Sequence, residues 1–152
     1  MKRLSITTQA VRAVRRFFRR LWWLYLRPRT LGERGELAAV KFLRRQGYRI
    51  IKHSQRGPFG EIDIIAVHER TIVFVEVKTR RSHTAGHPAE AVDGRKQRRL
   101  TRLALAYLKR HGLLECRARF DIIAITWPDL KQPPVIQHYQ NAFEASGVQG
   151  MY

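Results

Sequence analysis

Residues 60–80, GEIDIIAVHERTIVFVEVKTR, constrain the fold more than any other stretch. Their Ile, Val and Phe alternate with other residues as two strands, 61–67 and 72–78, joined by a short turn. A turn centred between Glu69 and Arg70 gives one register whether it is two or four residues long. Val67 then faces Ile72, Ile65 faces Phe74, Asp63 faces Glu76, and Glu61 faces Lys78, all on one side of the hairpin. The other side carries Ile62, Ile64 and Ala66 against Val77, Val75 and Val73. That side is wholly apolar, and the first is apolar at its turn end. A hairpin apolar on both faces must be covered on both faces, which predicts a sheet flanked by helices.

The charged end of the hairpin needs a physical answer. Opposed residues have Cβ atoms about 5 Å apart. Two carboxylates at that distance repel by roughly 3 kcal/mol at an effective dielectric near 20. A divalent cation would remove the conflict, because Mg²⁺ takes oxygen ligands and is typically held by one or two carboxylates plus substrate phosphates. A proton shared by the pair would also remove it, as would a network of Glu61 with Lys78 and of Asp63 with an arginine. The pattern leaves these alternatives open.

Helices and further strands surround this hairpin. LGERGELAAVKFLRRQGY predicts a helix over about 31–46, stopped by Gly47. Its inward stripe is Ala39, Val40 and Leu43, and at about 100° per residue Glu36 falls within it while Arg34, Lys41 and Arg45 fall opposite. A carboxylate there needs a partner, so Glu36 is either a rim residue, one half of an ion pair with an arginine at the core edge, or part of a site. Residues 48–54 predict a strand, and 82–94 a loop with a helical turn after Pro88. Residues 95–111 predict a long helix with Leu100, Leu103, Ala104, Tyr107 and Leu108 on one face, stopped by Gly112. Residues 119–127 and 135–139 predict two more strands, and the tail from Ser146 is expected to be mobile. His83 and His87 flank a glycine-containing loop and read as a chance pair rather than a zinc site.

Charge bounds the partners. The chain has 152 residues, with 30 Lys plus Arg against 12 Asp plus Glu, a formal net charge of +18. Nine of the basic residues and none of the acidic ones lie in 1–30, so the remainder still carries +9. A polyanion, either nucleic acid or an anionic membrane surface, is the simplest partner. Val11, Val14, Phe18, Leu21, Trp22 and Tyr25 follow helical spacing among arginines, and Pro28 ends that helix. This basic amphipathic helix could lie on a membrane surface, follow a nucleic-acid backbone, dock on the domain or a partner, or fray when free. Cys116 is the only cysteine, so no intramolecular disulfide or cysteine-based zinc cluster can form, which suits the cytoplasm. No apolar run approaches the ~20 residues of a membrane span.

FGEIDIIA followed by VFVEVKTR resembles the paired motifs of the PD-(D/E)xK nuclease superfamily, an Asp on one strand and Glu-x-Lys on the next. GERGELAAVKFLRRQGYRI, GEIDIIA, FVEVKTR, the AEAVDGRKQRRL block and RFDIIAI together resemble, in the same order, the YraN family of bacterial endonuclease-like proteins. The resemblance covers roughly residues 31–143. It implies an α/β (α+β) restriction-endonuclease-like core, αβββαβ, with a mixed sheet between helices. Residues 1–30 would be a basic extension and 144–152 a tail.

The resemblance also implies roles. Asp63 and Glu76 become metal ligands, with the Val77 carbonyl as a third. Lys78 orients the attacking water or steadies phosphate charge, and Glu36 completes the metal site through water. Gln97 takes the place of a site glutamine on the following helix. The implied cofactor is Mg²⁺, with Mn²⁺ as the alternative, and the implied reaction is hydrolysis of DNA phosphodiesters, branched or damaged DNA included. The alternative is a nucleic-acid-binding module with little turnover. Phosphate contacts fall to Arg80, Arg81, Arg95, Lys96, Arg98, Arg99 and Arg102. Two departures stand out: Ile62 precedes Asp63 where the superfamily pattern has Pro, and HSQRGPFG differs from the usual text before the motif. Oligomeric state is open, a dimer included.

Overall fold

The turn at Glu69–Arg70 sets the architecture. Both residues adopt left-handed backbone, with φ of 48° and 69°. That is the conformation a two-residue hairpin needs to match strand twist, and non-glycine residues take it only when packing on both sides insists. A computed structural model describes residues 30–57, 60–82 and 92–146. The expected N-terminal helix, the turn after Pro88 and the pair His83 and His87 lie outside the described residues.

The described chain runs α1 (Leu31–Arg45), β1 (Arg49–Gly57), β2 (Gly60–His68), β3 (Thr71–Arg80), α2 (Gly94–Arg110), β4 (Ala118–Thr126) and β5 (Val135–Phe143). The sheet has the order β1-β2-β3-β4-β5. Only β3 and β4 are parallel, because α2 crosses over between them while the other neighbours meet through shorter connections. This is the mixed, helix-flanked, restriction-endonuclease-like core.

Each helix covers one face. Ala39, Val40 and Leu43 of α1 pack with Ile64, Ala66, Val73, Val75, Ile123 and Ile125. Leu100, Leu103, Ala104 and Leu108 of α2 pack on the other face with Ile65, Ile72, Phe74, Phe120 and Ile122. α1 ends at Gly47, where φ is 85° and the Tyr48 N–H donates back to the Leu43 carbonyl at 3.0 Å. α1 also approaches β3 closely: a Cβ on Gly35 would lie 1.7 Å from Thr79 Oγ1. α2 begins behind Asp93, whose side chain accepts the Lys96 N–H at 2.8 Å. Past β5 the chain stays tied, with the Ser146 N–H donating to Thr101 Oγ1 at 3.2 Å. Residues 147–152 of the expected mobile tail lie outside the described residues.

The hairpin register follows the predicted pairing from His68–Thr71 through Val67–Ile72 and Ile65–Phe74 to Ile64–Val75. There the ladder stops, one step short of Asp63 and Glu76. On its other side β2 pairs His53 with Ile64 and Gln55 with Ile62, but Ser54 has φ of 56° and skips Asp63. Asp63 is thus passed over by both neighbouring strands. Alternation changes with it, since Ile62 packs under α2 whereas Ile64 packs under α1.

Candidate active site

The broken rung is held open by Asp63 itself. Its Oδ2 accepts the Val77 N–H at 2.7 Å, replacing the backbone bond that a continuous ladder would have made. The N–H and C=O of one strand residue face the same neighbour, so the Val77 carbonyl also faces this gap. Burial first, and the Glu76 charge second, push the Asp63 carboxyl up to about 7, with Glu36 adding to the same direction. The predicted conflict between carboxylates is therefore present, although the two do not form a rung.

Glu76 is buried, with 5% of its side chain exposed. Its Oε1 accepts from Lys78 Nζ at 2.9 Å and from Lys96 Nζ. Burial pulls Lys78 down, but its bonds to Lys96 and Glu76 and the charges of Glu76 and Asp63 outweigh burial and hold it above its ordinary value. For Lys96 burial prevails with the help of Lys78, and its ammonium is held low despite Glu76. Two lysines meeting on one buried carboxylate make this a densely charged pocket.

Glu36 lies at the other edge of this pocket. Its Oε2 meets His53 Nε2 at 2.8 Å and Ser54 Oγ at 3.5 Å. The predicted demand for a partner is thus met by a histidine of β1, at the kink that skips Asp63. Glu61 turns away from Lys78 to Arg56, 3.5 Å off on an exposed surface. Gln97 uses its amide nitrogen on the Val92 carbonyl at 3.0 Å, which steadies the turn leading into α2.

The basic residues divide. Arg95, Arg98, Arg99 and Arg102 recur at helical spacing and line one surface groove. The groove meets the start of β2, because a Cβ on Gly60 would lie 3.4 Å from Arg99 Nε. Arg80 and Arg81 sit at and just past the end of β3, Arg81 exposed. Lys96 leaves this set and turns inward to Glu76. Its place one turn before Leu100 on the core-facing stripe was the available signal, the same spacing that singled out Glu36. His53 carried no comparable signal, since only the kink at Ser54 brings it to Glu36.

A second buried aspartate supplies the contrast. Asp121 is fully buried and, like Asp63, breaks a ladder, here between β4 and β5. It too takes a stranded backbone donor, the Asn141 N–H at 3.0 Å. Its answers are complete: Arg119 Nε at 2.9 Å and His138 Nε2 at 2.9 Å. Burial alone would raise Asp121, but the bonds from His138, Arg119 and Asn141 outweigh it and hold the carboxyl below its usual range. Arg119 also bonds the Tyr48 hydroxyl at 2.8 Å, tying β4 to the end of α1. Asp121 is a satisfied structural carboxylate, whereas Asp63 keeps an unresolved charge.

The donor set around Asp63 fits a hard divalent cation. Asp63, Glu76 and the Val77 carbonyl offer only oxygens, and two carboxylates are the usual protein share of a Mg²⁺ site completed by water and phosphate. Among the described residues no three His, Cys, Asp or Glu side chains gather into one ligand cluster. Glu36 is therefore not gathered with Asp63 and Glu76 into one set of ligands. Among the described residues no helix is long and apolar enough to cross a membrane.

Residues 35–125 match a family described as "Uncharacterised protein family UPF0102", a span containing every site residue named above. A UPF0102 protein of Rhodopirellula baltica is 50% identical over 125 residues, which cover 80% of this chain and 75% of the relative. One from Geobacter sulfurreducens is 51% identical over 116 residues, covering 75% and 88%. One from Chlorobium phaeobacteroides is 44% identical over 122 residues, covering 78% and 96%.

Proposed function

The chain belongs to the UPF0102 family, in keeping with the endonuclease-like family suggested by its five sequence blocks, and from that premise we propose that it is a divalent-metal-dependent endonuclease acting on DNA. Family and fold together support a nuclease-like role. The observation that carries the finer reading is Asp63, dehydrated beside Glu76 at a broken rung, with its carboxyl raised to about 7. A strained, charge-conflicted carboxylate pair lowers stability, and such pairs cluster where chemistry needs them.

A Mg²⁺ or Mn²⁺ held by Asp63, Glu76 and the Val77 carbonyl would supply Lewis-acid polarisation of the scissile phosphate and a more acidic water. The protein's own residues do the rest. Val77 N–H fixes the Asp63 carboxylate in the gap between β2 and β3. Lys78, on the same strand as Glu76, stands ready to steady charge on a phosphate oxygen. Glu36, held by His53, adds negative charge that favours a cation at Asp63. Arg95, Arg98, Arg99 and Arg102 grip backbone phosphates along the groove, which positions DNA without reading its sequence.

The second reading, a nucleic-acid-binding module with little turnover, draws on the two lysines that already neutralise Glu76. Incubating the purified protein with single-stranded, duplex and branched DNA under Mg²⁺ or Mn²⁺ separates the two. The enzyme reading expects cleavage that Asp63→Ala and Glu76→Ala each abolish. Cleavage unchanged in both variants refutes the assigned site, and binding without cleavage on every substrate selects the module.

A further inference from the structure

We propose that Lys96 is a gate on the metal site, occupying Glu76 until nucleic acid draws it away, so that metal and nucleic acid bind cooperatively. This rests on the reading of Asp63 and Glu76 as the metal-holding pair. It assigns Lys96 to the regulation of that pair rather than to the phosphate row on α2.

The geometry carries the argument. One oxygen of Glu76 receives both ammonium groups, Lys78 from the same strand and Lys96 from the first turn of α2. With all four ionised, the charges on Asp63, Glu76, Lys78 and Lys96 cancel. A divalent cation entering this arrangement would meet two ammonium groups already matched to the two carboxylates and would compete for an oxygen that both donors hold. With Lys96 withdrawn, the remaining three groups carry −1, and a cation is favoured.

Lys78 is a poor candidate for withdrawal, since it lies two residues from Glu76 on a strand paired along its length with β4. Lys96 has the required freedom. Its stem is a flexible four-carbon chain, and its backbone sits in the capped first turn of α2, next to Arg95. Arg95 belongs to the four-arginine groove, so a phosphate bound there offers Lys96 a second anion close to its root. Phosphate outside and cation inside thus pull the same side chain in one direction. By linkage the effect is reciprocal: each ligand tightens the other by the same factor, on the order of 5- to 150-fold for ordinary couplings.

The test is calorimetric titration of the full chain with Ca²⁺ and Mn²⁺, with and without a short duplex DNA. Wild type is expected to bind the cation more tightly with DNA, by a factor within that range. Lys96→Gln and Lys96→Met are expected to bind cation without DNA about as tightly as wild type does with it, and to gain little from DNA. A wild type whose cation affinity is the same with and without DNA overturns the gate, and this arm needs no variant to fold. Variants that bind cation no more tightly than wild type also overturn it, while leaving the Asp63–Glu76 site standing. No cation binding by any of these proteins, with or without DNA, overturns the metal-site reading and the gate together.

Discussion

Replacing Asp63 by asparagine should make this protein more stable at neutral pH. Asparagine keeps the shape and can still accept the Val77 N–H, so the broken rung is preserved. It removes the charge that burial and Glu76 oppose. The Asp63 carboxyl moves from 3.8 in the free residue to about 7 in the fold. At about 1.36 kcal/mol per unit, the whole shift is equivalent to about 4 kcal/mol. Part of it belongs to the interaction with Glu76 rather than to Asp63 alone, so a gain of about 2 kcal/mol is expected, or roughly 6–10 °C in Tm. The sign with pH follows from proton uptake. A raised carboxyl binds more protons folded than unfolded, so the wild type loses stability as pH climbs from about 4 to about 7 and stays level above. The advantage of Asp63→Asn should therefore be absent near pH 3.5, grow through that window and plateau near pH 8. Urea unfolding at pH 3.5, 5, 6, 7 and 8 measures it. An unchanged or lowered stability at pH 8, or a gain independent of pH, refutes the account of Asp63 as an uncompensated buried charge.

Asp121→Ala should cost about 3–5 kcal/mol at pH 7, because Arg119 and His138 lose their buried partner. The Asp121 carboxyl is held low, so its contribution is present above the ordinary carboxylate range and fades as pH falls through the lowered value. Urea melts at pH 7 and pH 3 should show the difference from wild type narrowing in acid. Gly35→Ala should destabilise by about 3 kcal/mol or more, since the new Cβ would sit 1.7 Å from Thr79 Oγ1. Adding Thr79→Ala should recover only part of the melting temperature, because a 2.8 Å contact with the residue 79 Cβ remains. Alanine at Arg95, Arg98, Arg99 and Arg102 together should flatten the salt dependence of duplex DNA binding, by about 0.9 in the log–log slope for each arginine that meets a phosphate. A slope unchanged across a salt series would move the phosphate contacts off α2.

Much of this was legible in the sequence because it is local or periodic. Alternation and a turn centre sufficed for the hairpin register from His68–Thr71 to Ile64–Val75. Helical spacing sufficed for the core stripes of α1 and α2 and for the exceptional position of Glu36. The same spacing applied to Lys96 would have turned it inward. Charge counting could not separate Lys96 from the arginines beside it, because all of them lie in one basic run. The stop in the ladder at Asp63 was beyond pattern reasoning, since it depends on a side chain replacing a backbone partner.

The limit is plainest in a tetrapeptide that the chain uses twice. Asp63-Ile64-Ile65-Ala66 and Asp121-Ile122-Ile123-Ala124 are identical in sequence. The sequence by itself determined that each is a buried strand entered through an aspartate, because that follows from residues within one or two positions. Only the tertiary structure decided that Asp121 is met by His138 and the Asn141 N–H as well as by Arg119 of its own strand, while Asp63 stands against Glu76. The charge state of a buried carboxylate is set in large part by what other strands and helices bring within a few ångströms, and a chain neighbour such as Arg119 carries only a share of that information.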